Sequence, residues 1–449
     1  MTITLFPHQE RGASFLASGP GTKGLFFGMG TGKTITSIEA FKRSIANRVL
    51  VIAPPIALPM WQREIEAHAE TKAAILKTGR TKLPAVRALV VSYAIAASRK
   101  DELRDWLAMD VSALICDESH ALKSHTAQRT KAVLGAMGIV SGACYSWMLT
   151  GTPITRWNDD MYPFLCRADT QGMKQRLGGT EKIKFDLRYT VKQRRQFPGA
   201  RWPVEMVVGN QNTAELADWV YKGDQPLALR VDLAEVFASM PPLTTNRYDI
   251  KLDADAELKA QLEDLEKATL ADLQQQLQAK EPALATIRRR IGMAKVKAAV
   301  AEIAERVESG QNVLVGAWHT EVIDALAIAL RGKGYTADVI DGRCSSMRKE
   351  ASQLRWNKGE TQALICQIAA AGVSLNLQHG GTQIVVVEED WSPSIMDQFY
   401  ARLWRYGQQQ HVHVDILTSA NKLDKALGRI SRTKEREHER FNAVGREVS

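Results

Sequence analysis

Gly30-Thr31-Gly32-Lys33-Thr34 stands between an apolar run that ends at Phe27 and the helical pattern Ile35–Phe41. Glycines at such a place let backbone N–H groups curl around phosphate oxygens, and the following helix adds the positive end of its dipole. Lys33 is placed to reach the β- and γ-phosphates of ATP, and the Thr34 hydroxyl to hold Mg²⁺. The strict phosphate-loop pattern starts with one more glycine, and Phe27 occupies that position here.

A second apolar run, Ala113–Cys116, ends in Asp117-Glu118-Ser119-His120. Ligands of open α/β sheets bind at the carboxyl ends of strands. Asp117 there can hold Mg²⁺ directly or through water, and Glu118 can polarise an attacking water. Adjacent acids also cap helices, but the phosphate loop upstream favours catalysis. Leu149-Thr150-Gly151-Thr152-Pro153 ends a third run. Thr150 and Thr152 could sense the γ-phosphate, or the segment could be an ordinary turn. Before the loop, Phe6-Pro7-His8-Gln9 offers a Gln9 amide able to donate to and accept from adenine.

The elements that must position these groups follow one pattern. The apolar runs Leu25–Phe27, Val49–Ala53, Ala88–Val91, Ala113–Cys116 and Trp147–Leu149 alternate with helical segments. Val313–Ala317, Ala337–Ile340, Ala363–Cys366, Ile384–Val387 and Val412–Leu417 repeat it. Runs apolar on both faces, spaced by helices, predict covered parallel sheets of βαβ units. The expected fold is α/β, with two tandem doubly wound lobes over residues 1–240 and 241–449. Residues 155–240 lack clear periodicity and read as a basic, aromatic insertion. A helix is expected from about Asp253 to Lys280, its leucines forming one stripe that packs on a lobe or pairs as a short coiled coil. Pro282 is expected to break that helix, and Ala294–Val307 to form another.

With 449 residues, the chain exceeds what one hydrophobic core usually serves. Hydrophobic residues at 45% and charged residues at 24% are globular proportions and exclude a disordered chain. A net charge of +9 and a pI of about 9.2 favour a polyanionic partner. Cys116, Cys144, Cys166, Cys344 and Cys366 form no metal-type spacing and have apolar neighbours, so all five read as buried thiols in a reducing compartment. The N-terminus lacks a basic start followed by an apolar run, and no stretch approaches the roughly 20 apolar residues of a membrane span. An intracellular, cytoplasmic location is expected, in a bacterial nucleoid or the cytoplasm of a virus-infected host, with no membrane partner.

In this order the motifs resemble helicase superfamily two, and specifically the Swi/Snf-type DNA translocases, over nearly the whole chain. Gln9 is similar to the adenine motif, Gly30–Thr34 to the first ATP motif, and Ala53-Pro54-Pro55 with Trp61 to the first DNA-contact motif. Asp117–His120 resembles the second ATP motif and Thr150–Pro153 the coupling motif. Ile340-Asp341-Gly342 with Arg348 resembles the strand-grip region, and Gly372-Val-Ser-Leu-Asn376-Leu377 the fifth motif. Asp390-Trp-Ser-Pro393 with Gln398-Phe-Tyr-Ala-Arg402-Leu-Trp-Arg405-Tyr-Gly-Gln408 resembles the sixth. The Asp-Glu-Ser-His form and Ala317-Trp-His319 are similar to the annealing-helicase branch. Phe27 and Gly28 replace an acidic pair usual before the first motif, Ser374 a glycine of the fifth, and Ser392 an asparagine of the sixth.

The resemblance implies ATP, with Mg²⁺, in a cleft between lobes. Arg402 and Arg405 act as arginine fingers, Gln398 in coupling, and Pro54, Pro55, Asp341, Arg348, Gly372 and Asn376 on DNA. The spacing of the two arginines suits one face of a helix. The implied activity is a DNA-dependent ATPase moving on double-stranded or branched DNA, acting as a monomer and directed by DNA structure or a protein partner. A strand-separating helicase on DNA or RNA and an ATP-gated binding scaffold are the alternatives. Lys182, Lys184, Arg188, Lys192, Arg194, Arg195 and Arg201 interleave with Phe185, Tyr189, Phe197 and Trp202. That stretch suits nucleic acid, or a solvated basic face over an aromatic cluster. Arg288-Arg289-Arg290 reads as a solvated face.

Overall fold

The computed structural model describes residues 4–78, 82–155, 157–196, 202–232, 236, 240–267, 269, 273, 282–368, 375–390, 392–405, 407–426 and 428. They form two compact units, which divide at residue 236.

The first unit holds strands β1 (Gly21–Phe27), β2 (Arg48–Ala53), β3 (Ala73–Leu76), β4 (Ala88–Ser92), β5 (Ser112–Cys116) and β6 (Tyr145–Leu149). An antiparallel pair follows, β7 (Thr190–Arg195) and β8 (Val204–Asn210), and then β9 (Ala228–Val231). The main sheet runs β3-β4-β2-β5-β6-β1-β9, with every neighbouring pair parallel. Every residue of β4, β5 and β6 is buried, as a sheet covered by helices on both faces requires.

The second unit holds β10 (Leu243–Asp249), β11 (Val313–Ala317), β12 (Ala337–Ile340), β13 (Ala363–Gln367), β14 (Gln383–Val386) and β15 (Val412–Thr418). Its order is β10-β15-β14-β11-β13-β12, again all parallel. Two doubly wound parallel sheets are therefore present, as the alternation of apolar runs and helices predicts.

Three sheet strands and the hairpin escape the apolar-run criterion. β3 and β9 have four residues each, too few for a period. β10 is a half-exposed edge strand whose residues, Leu-Thr-Thr-Asn-Arg-Tyr-Asp, are mostly polar. The stretch 155–240 is thus no simple insertion, because its end returns to the first sheet beside β1. The leucine stripe appears in helix Ala256–Lys267, and Leu270 and Leu277 lie outside the described residues. Leu258 and Leu273 are buried with Leu284, Ile291 and Leu423, so the stripe packs within its own unit. Pro282 opens the helix Pro282–Glu308, a longer element than expected; a proline suits the first helical turn, where its missing N–H leaves no bond unmade.

All five cysteines are free thiols, but only Cys116 and Cys366 are buried. Cys144 is exposed because it precedes β6 at the surface end of the strand. No helix among the described residues is long and apolar enough to cross a membrane.

Candidate active site

Sheet order assembles the first half of the site. β5, β6 and β1 are neighbours. Their carboxyl ends lead into Asp117-Glu118, Thr150–Pro153 and the loop Gly28–Gly32. Three segments far apart in sequence thus share one edge.

The loop turns through Gly30 and Gly32, whose φ angles are +75° and +87°. A Cβ on Gly32 would stand 2.2 Å from Gln9 Nε2, so close approach also demands glycine there. Helix Lys33–Arg43 starts at Gly32. Thr31 Oγ1 donates to the Gly28 carbonyl at 2.8 Å. Lys33 Nζ donates to the carbonyls of Phe27 and Gly28 at 3.0 and 3.1 Å, folded over the loop where phosphate oxygens would compete for it. Thr34 is half-buried in the first turn. The Gln9 amide is engaged locally: Oε1 accepts from Phe6 N at 3.1 Å, and Nε2 donates to Thr31 O at 3.1 Å. A ring nitrogen of His8 lies 2.9 Å from the same carbonyl. Gln9 therefore braces the loop that it was expected to serve as adenine reader.

Asp117 is buried. Its Oδ2 accepts from the Trp61 indole at 2.8 Å and its Oδ1 from Glu118 N at 3.0 Å. The Tyr93 hydroxyl donates to its backbone carbonyl at 2.7 Å. Burial and the neighbouring Glu118 push the Asp117 carboxyl up to about 6, against the Trp61 hydrogen bond and the charge of Lys33. A desolvated carboxylate beside a second one is a group whose anionic form a divalent cation would stabilise, so the donor set of Asp117 and the Thr34 hydroxyl fits Mg²⁺. Glu118 is one of few non-glycine residues with positive φ, at 49°. Such conformations cluster at functional sites. His120 Nδ1 lies 3.2 Å from Glu118 Oε2 and 3.3 Å from Thr150 Oγ1, and Thr152 N donates to Thr150 Oγ1 at 3.1 Å. Acid, histidine and both threonines form one chain of contacts.

In the second unit, helix Pro393–Tyr400 carries Gln398, which is half-buried, and then stops. Arg402 and Arg405 lie beyond it, so they do not share a helical face as their spacing suggested. The backbone tightens there: Arg402 N and Leu403 N donate three residues back, to Phe399 O and Tyr400 O, at 3.1 and 3.0 Å. What unites the two arginines is a common acceptor segment. Arg402 Nη1 donates to Leu375 O at 3.4 Å and Arg405 Nη1 to the Asn376 side-chain oxygen. Burial lowers the pKa of Arg405. Its charged form would gain from an anionic neighbour.

A model of the SNF2-related domain matches residues 8–299, and one of the helicase conserved C-terminal domain matches residues 294–407. The chain belongs to the SNF2-related family. It is thereby an ATP-hydrolysing enzyme of helicase superfamily two. It is 27% identical over 433 residues to SWI/SNF-related matrix-associated actin-dependent regulator of chromatin subfamily A-like protein 1 of Xenopus tropicalis, covering 94% of this chain and 43% of that protein. To DNA annealing helicase and endonuclease ZRANB3 of Mus musculus it is 25% identical over 436 residues, covering 94% and 39%. To the probable global transactivator of Orgyia pseudotsugata multicapsid polyhedrosis virus it is 24% identical over 459 residues, covering 91% and 85%. The chain thus spans less than half the length of the first two relatives.

The residues expected on DNA in this SNF2-related chain differ in setting. Pro55 and Arg348 are exposed and Pro54 is half-buried. Asp341 is buried; Arg343 N and Nε donate to its two carboxylate oxygens, each at 2.8 Å. It therefore orders its loop. Asn376 is exposed but its carboxamide oxygen serves Arg405, and Gly372 lies outside the described residues. The Arg288–Arg290 run is taken up within the unit: Arg289 pairs with Glu321, Arg290 with Asp255 and Glu257, and Arg288 donates to Glu389 O. Sequence reasoning missed His120 as a bridge, and it placed Trp61 only among DNA contacts. A tryptophan on a helix face that must be buried needs an acceptor for its N–H, and that was the available signal. Arg230 was missed too. It is buried on β9 and donates to Gly151 O at 3.0 Å and Phe26 O at 3.4 Å, tying the edge strand to the Thr150–Pro153 segment.

Proposed function

We propose that this chain is a DNA-dependent ATPase that couples ATP hydrolysis to movement along double-stranded DNA, remodelling DNA structures or protein–DNA complexes. One observation carries the reading. The phosphate loop, the Asp117-Glu118 pair and the Thr150–Thr152 segment meet at neighbouring strand ends, and His120 links the last two. In this reading Asp117 and Thr34 would hold Mg²⁺, which when bound would supply positive charge to offset that of the phosphates. Lys33 exchanges its two carbonyl acceptors for those oxygens. Glu118 orients the attacking water, and His120 passes a change at Glu118 to Thr150 and Thr152. Arg402 and Arg405 of the second unit stabilise charge in the transition state, a contribution of roughly 10³–10⁵ in rate.

Coupling to DNA has support in the first unit. Pro54 and Pro55 lead into helix Leu58–His68, and Trp61 on that helix donates to Asp117. A contact at the prolines thus reaches the metal carboxylate through one rigid element. Arg348, Gly372 and Asn376 complete the proposed grip, which is backbone-directed and salt-sensitive. Names of similar proteins, such as DNA annealing helicase, agree with a DNA substrate. A strand-separating helicase is the second reading, favoured by the hairpin β7–β8, which among the described residues pairs with no other strand.

The deciding experiment is the ATPase rate with no nucleic acid, single-stranded DNA, linear duplex, forked DNA and RNA. The largest stimulation is expected from duplex or branched DNA, and a preference for RNA would overturn the substrate. A strand-displacement assay separates translocation from strand separation.

A further inference from the structure

Two groups of cations in the first unit stand apart from the phosphate loop. Those of the basic stretch at 182–202 are largely taken up by acids. Lys182 pairs with Asp159 and Asp186, Lys184 with Glu181, Arg188 with Glu215, and Lys192 with Asp186 and Glu205. Phe197 and Arg201 lie outside the described residues. The other cation is Arg230, on the four-residue edge strand β9, and it is only 6% exposed. Its Nη2 donates to Asp232, which meets the charge. Apolar side chains of similar volume often replace a buried ion pair with no loss of stability, so stability alone does not account for an arginine here.

Its remaining acceptors show another duty. Nη1 donates to Gly151 O at 3.0 Å and to Phe26 O at 3.4 Å. Arg230 pairs with Phe26 in the sheet, and Gly151 follows β6, on the far side of β1. The side chain therefore reaches past β1 and joins the ends of three neighbouring strands. The next residue, Val231, accepts from Gly28 N at 2.6 Å. Successive residues of β9 thus hold the Thr150–Pro153 segment and the start of the phosphate loop.

Those two segments also touch. A Cβ on Gly151 would stand 3.4 Å from Phe27 O and 3.6 Å from Met29 N, so Gly151 rests on the loop. The carbonyls of Phe26, Phe27 and Gly28 all accept from cations, the first from Arg230 and the other two from Lys33. Lys33 is free to trade its carbonyls for phosphate oxygens. Arg230, buried and paired, is not. It gives the Thr150–Pro153 segment a fixed point, beside Thr150 Oγ1 with its contacts to His120 and Thr152 N.

We propose that Arg230 is a positioning residue for ATP hydrolysis: it fixes the Gly151 carbonyl against the end of β1 and so sets where Thr150 and Thr152 stand relative to the phosphate loop. This rests on the roles given above to the loop and the threonines, and not on the nucleic-acid substrate.

The test uses the full chain. Arg230→Lys keeps the charge opposite Asp232 but replaces the fork of donors by one nitrogen, so the ion pair and the Gly151 carbonyl cannot both be held as before. The kcat and KM for ATP, the affinity for a fluorescent ATP analogue and the melting temperature are measured for Arg230→Lys, Thr150→Val and the double variant, with and without linear duplex DNA. Arg230→Lys should lower kcat about tenfold, within the roughly 10² that a misplacement of about 1 Å costs. Analogue affinity, KM and melting temperature should hold. Thr150→Val should lower kcat too, and in the double variant the two losses should not multiply, because Arg230 acts through Thr150. Losses that multiply, a wild-type kcat in either single variant, or a fall confined to analogue affinity or melting temperature overturn the assignment. Arg230→Gln, which is neutral and still donates to one carbonyl, replaces the lysine variant if that does not fold, and failure of both to fold makes Arg230 a purely structural residue. Should duplex DNA leave the wild-type rate unchanged, the translocase reading fails, and the same comparison on the basal rate still decides Arg230.

Discussion

The nucleotide end of the first unit and the arginine segment of the second are built on sheets of the same kind, yet they hold their chemistry differently. In the first, three neighbouring strands each end in a piece of the site, and His120 ties two of those pieces together. In the second, Arg402 and Arg405 stand in tight turns past the end of a helix, each on a local acceptor of the Leu375–Asn376 segment. Groups tied to strand ends are preorganised. Groups on turns can exchange one acceptor for another at small cost, as residues that act at one step of a cycle must.

The contrast is tested most severely at Arg405. Arg405→Ala should lower nucleic-acid-stimulated hydrolysis by about 10³ or more while ATP affinity and melting temperature hold. Near-normal turnover would remove the second unit from the reaction. Lys33→Ala should cost roughly 10²–10³ in turnover, as for other preorganised charged donors, and should also weaken ATP binding. A loss of turnover with unchanged nucleotide binding would separate the two roles of the loop.

Trp61→Phe keeps the buried ring and deletes the donor to Asp117. A hydrogen bond to a charged group contributes about 1.5–3 kcal/mol, so the Mg²⁺ needed for fluorescent-nucleotide binding should rise about tenfold. An unchanged Mg²⁺ requirement with a lower melting temperature would make Trp61 a packing residue. Arg348→Ala should have the smallest effect. DNA affinity should fall uniformly across sequences, and the slope of log K against log salt should shrink by about one, measured by anisotropy between 50 and 200 mM salt (a range on the order of that where such slopes are steep).

Much of this was legible because it is local. The loop Gly30–Thr34, the acids Asp117-Glu118 and the threonines Thr150 and Thr152 each follow an apolar run, and each run is a strand. Polar or short strands were not legible: β10 forms no apolar run and β9 lies in an aperiodic stretch, since neither buries two faces over enough residues to leave a pattern. The helical face assigned to Arg402 and Arg405 failed for a related reason. Spacing of three is compatible with a helix but does not require it, and the chain leaves the helix at Tyr400. The basic stretch divided in a way that composition could not show, with Phe185 and Tyr189 in the core and Trp202 outside.

Sequence alone determined that two covered parallel sheets would form and which strand ends would carry the phosphate loop and the acids, because burial on both faces writes itself into consecutive residues. Tertiary structure decided the partners. Trp61 meets Asp117 across 56 positions, His120 meets Thr150 across 30, and Arg405 meets Asn376 across 29. Those encounters depend on the order of strands in each sheet and on how helices pack over them, and residue spacing carries no record of either.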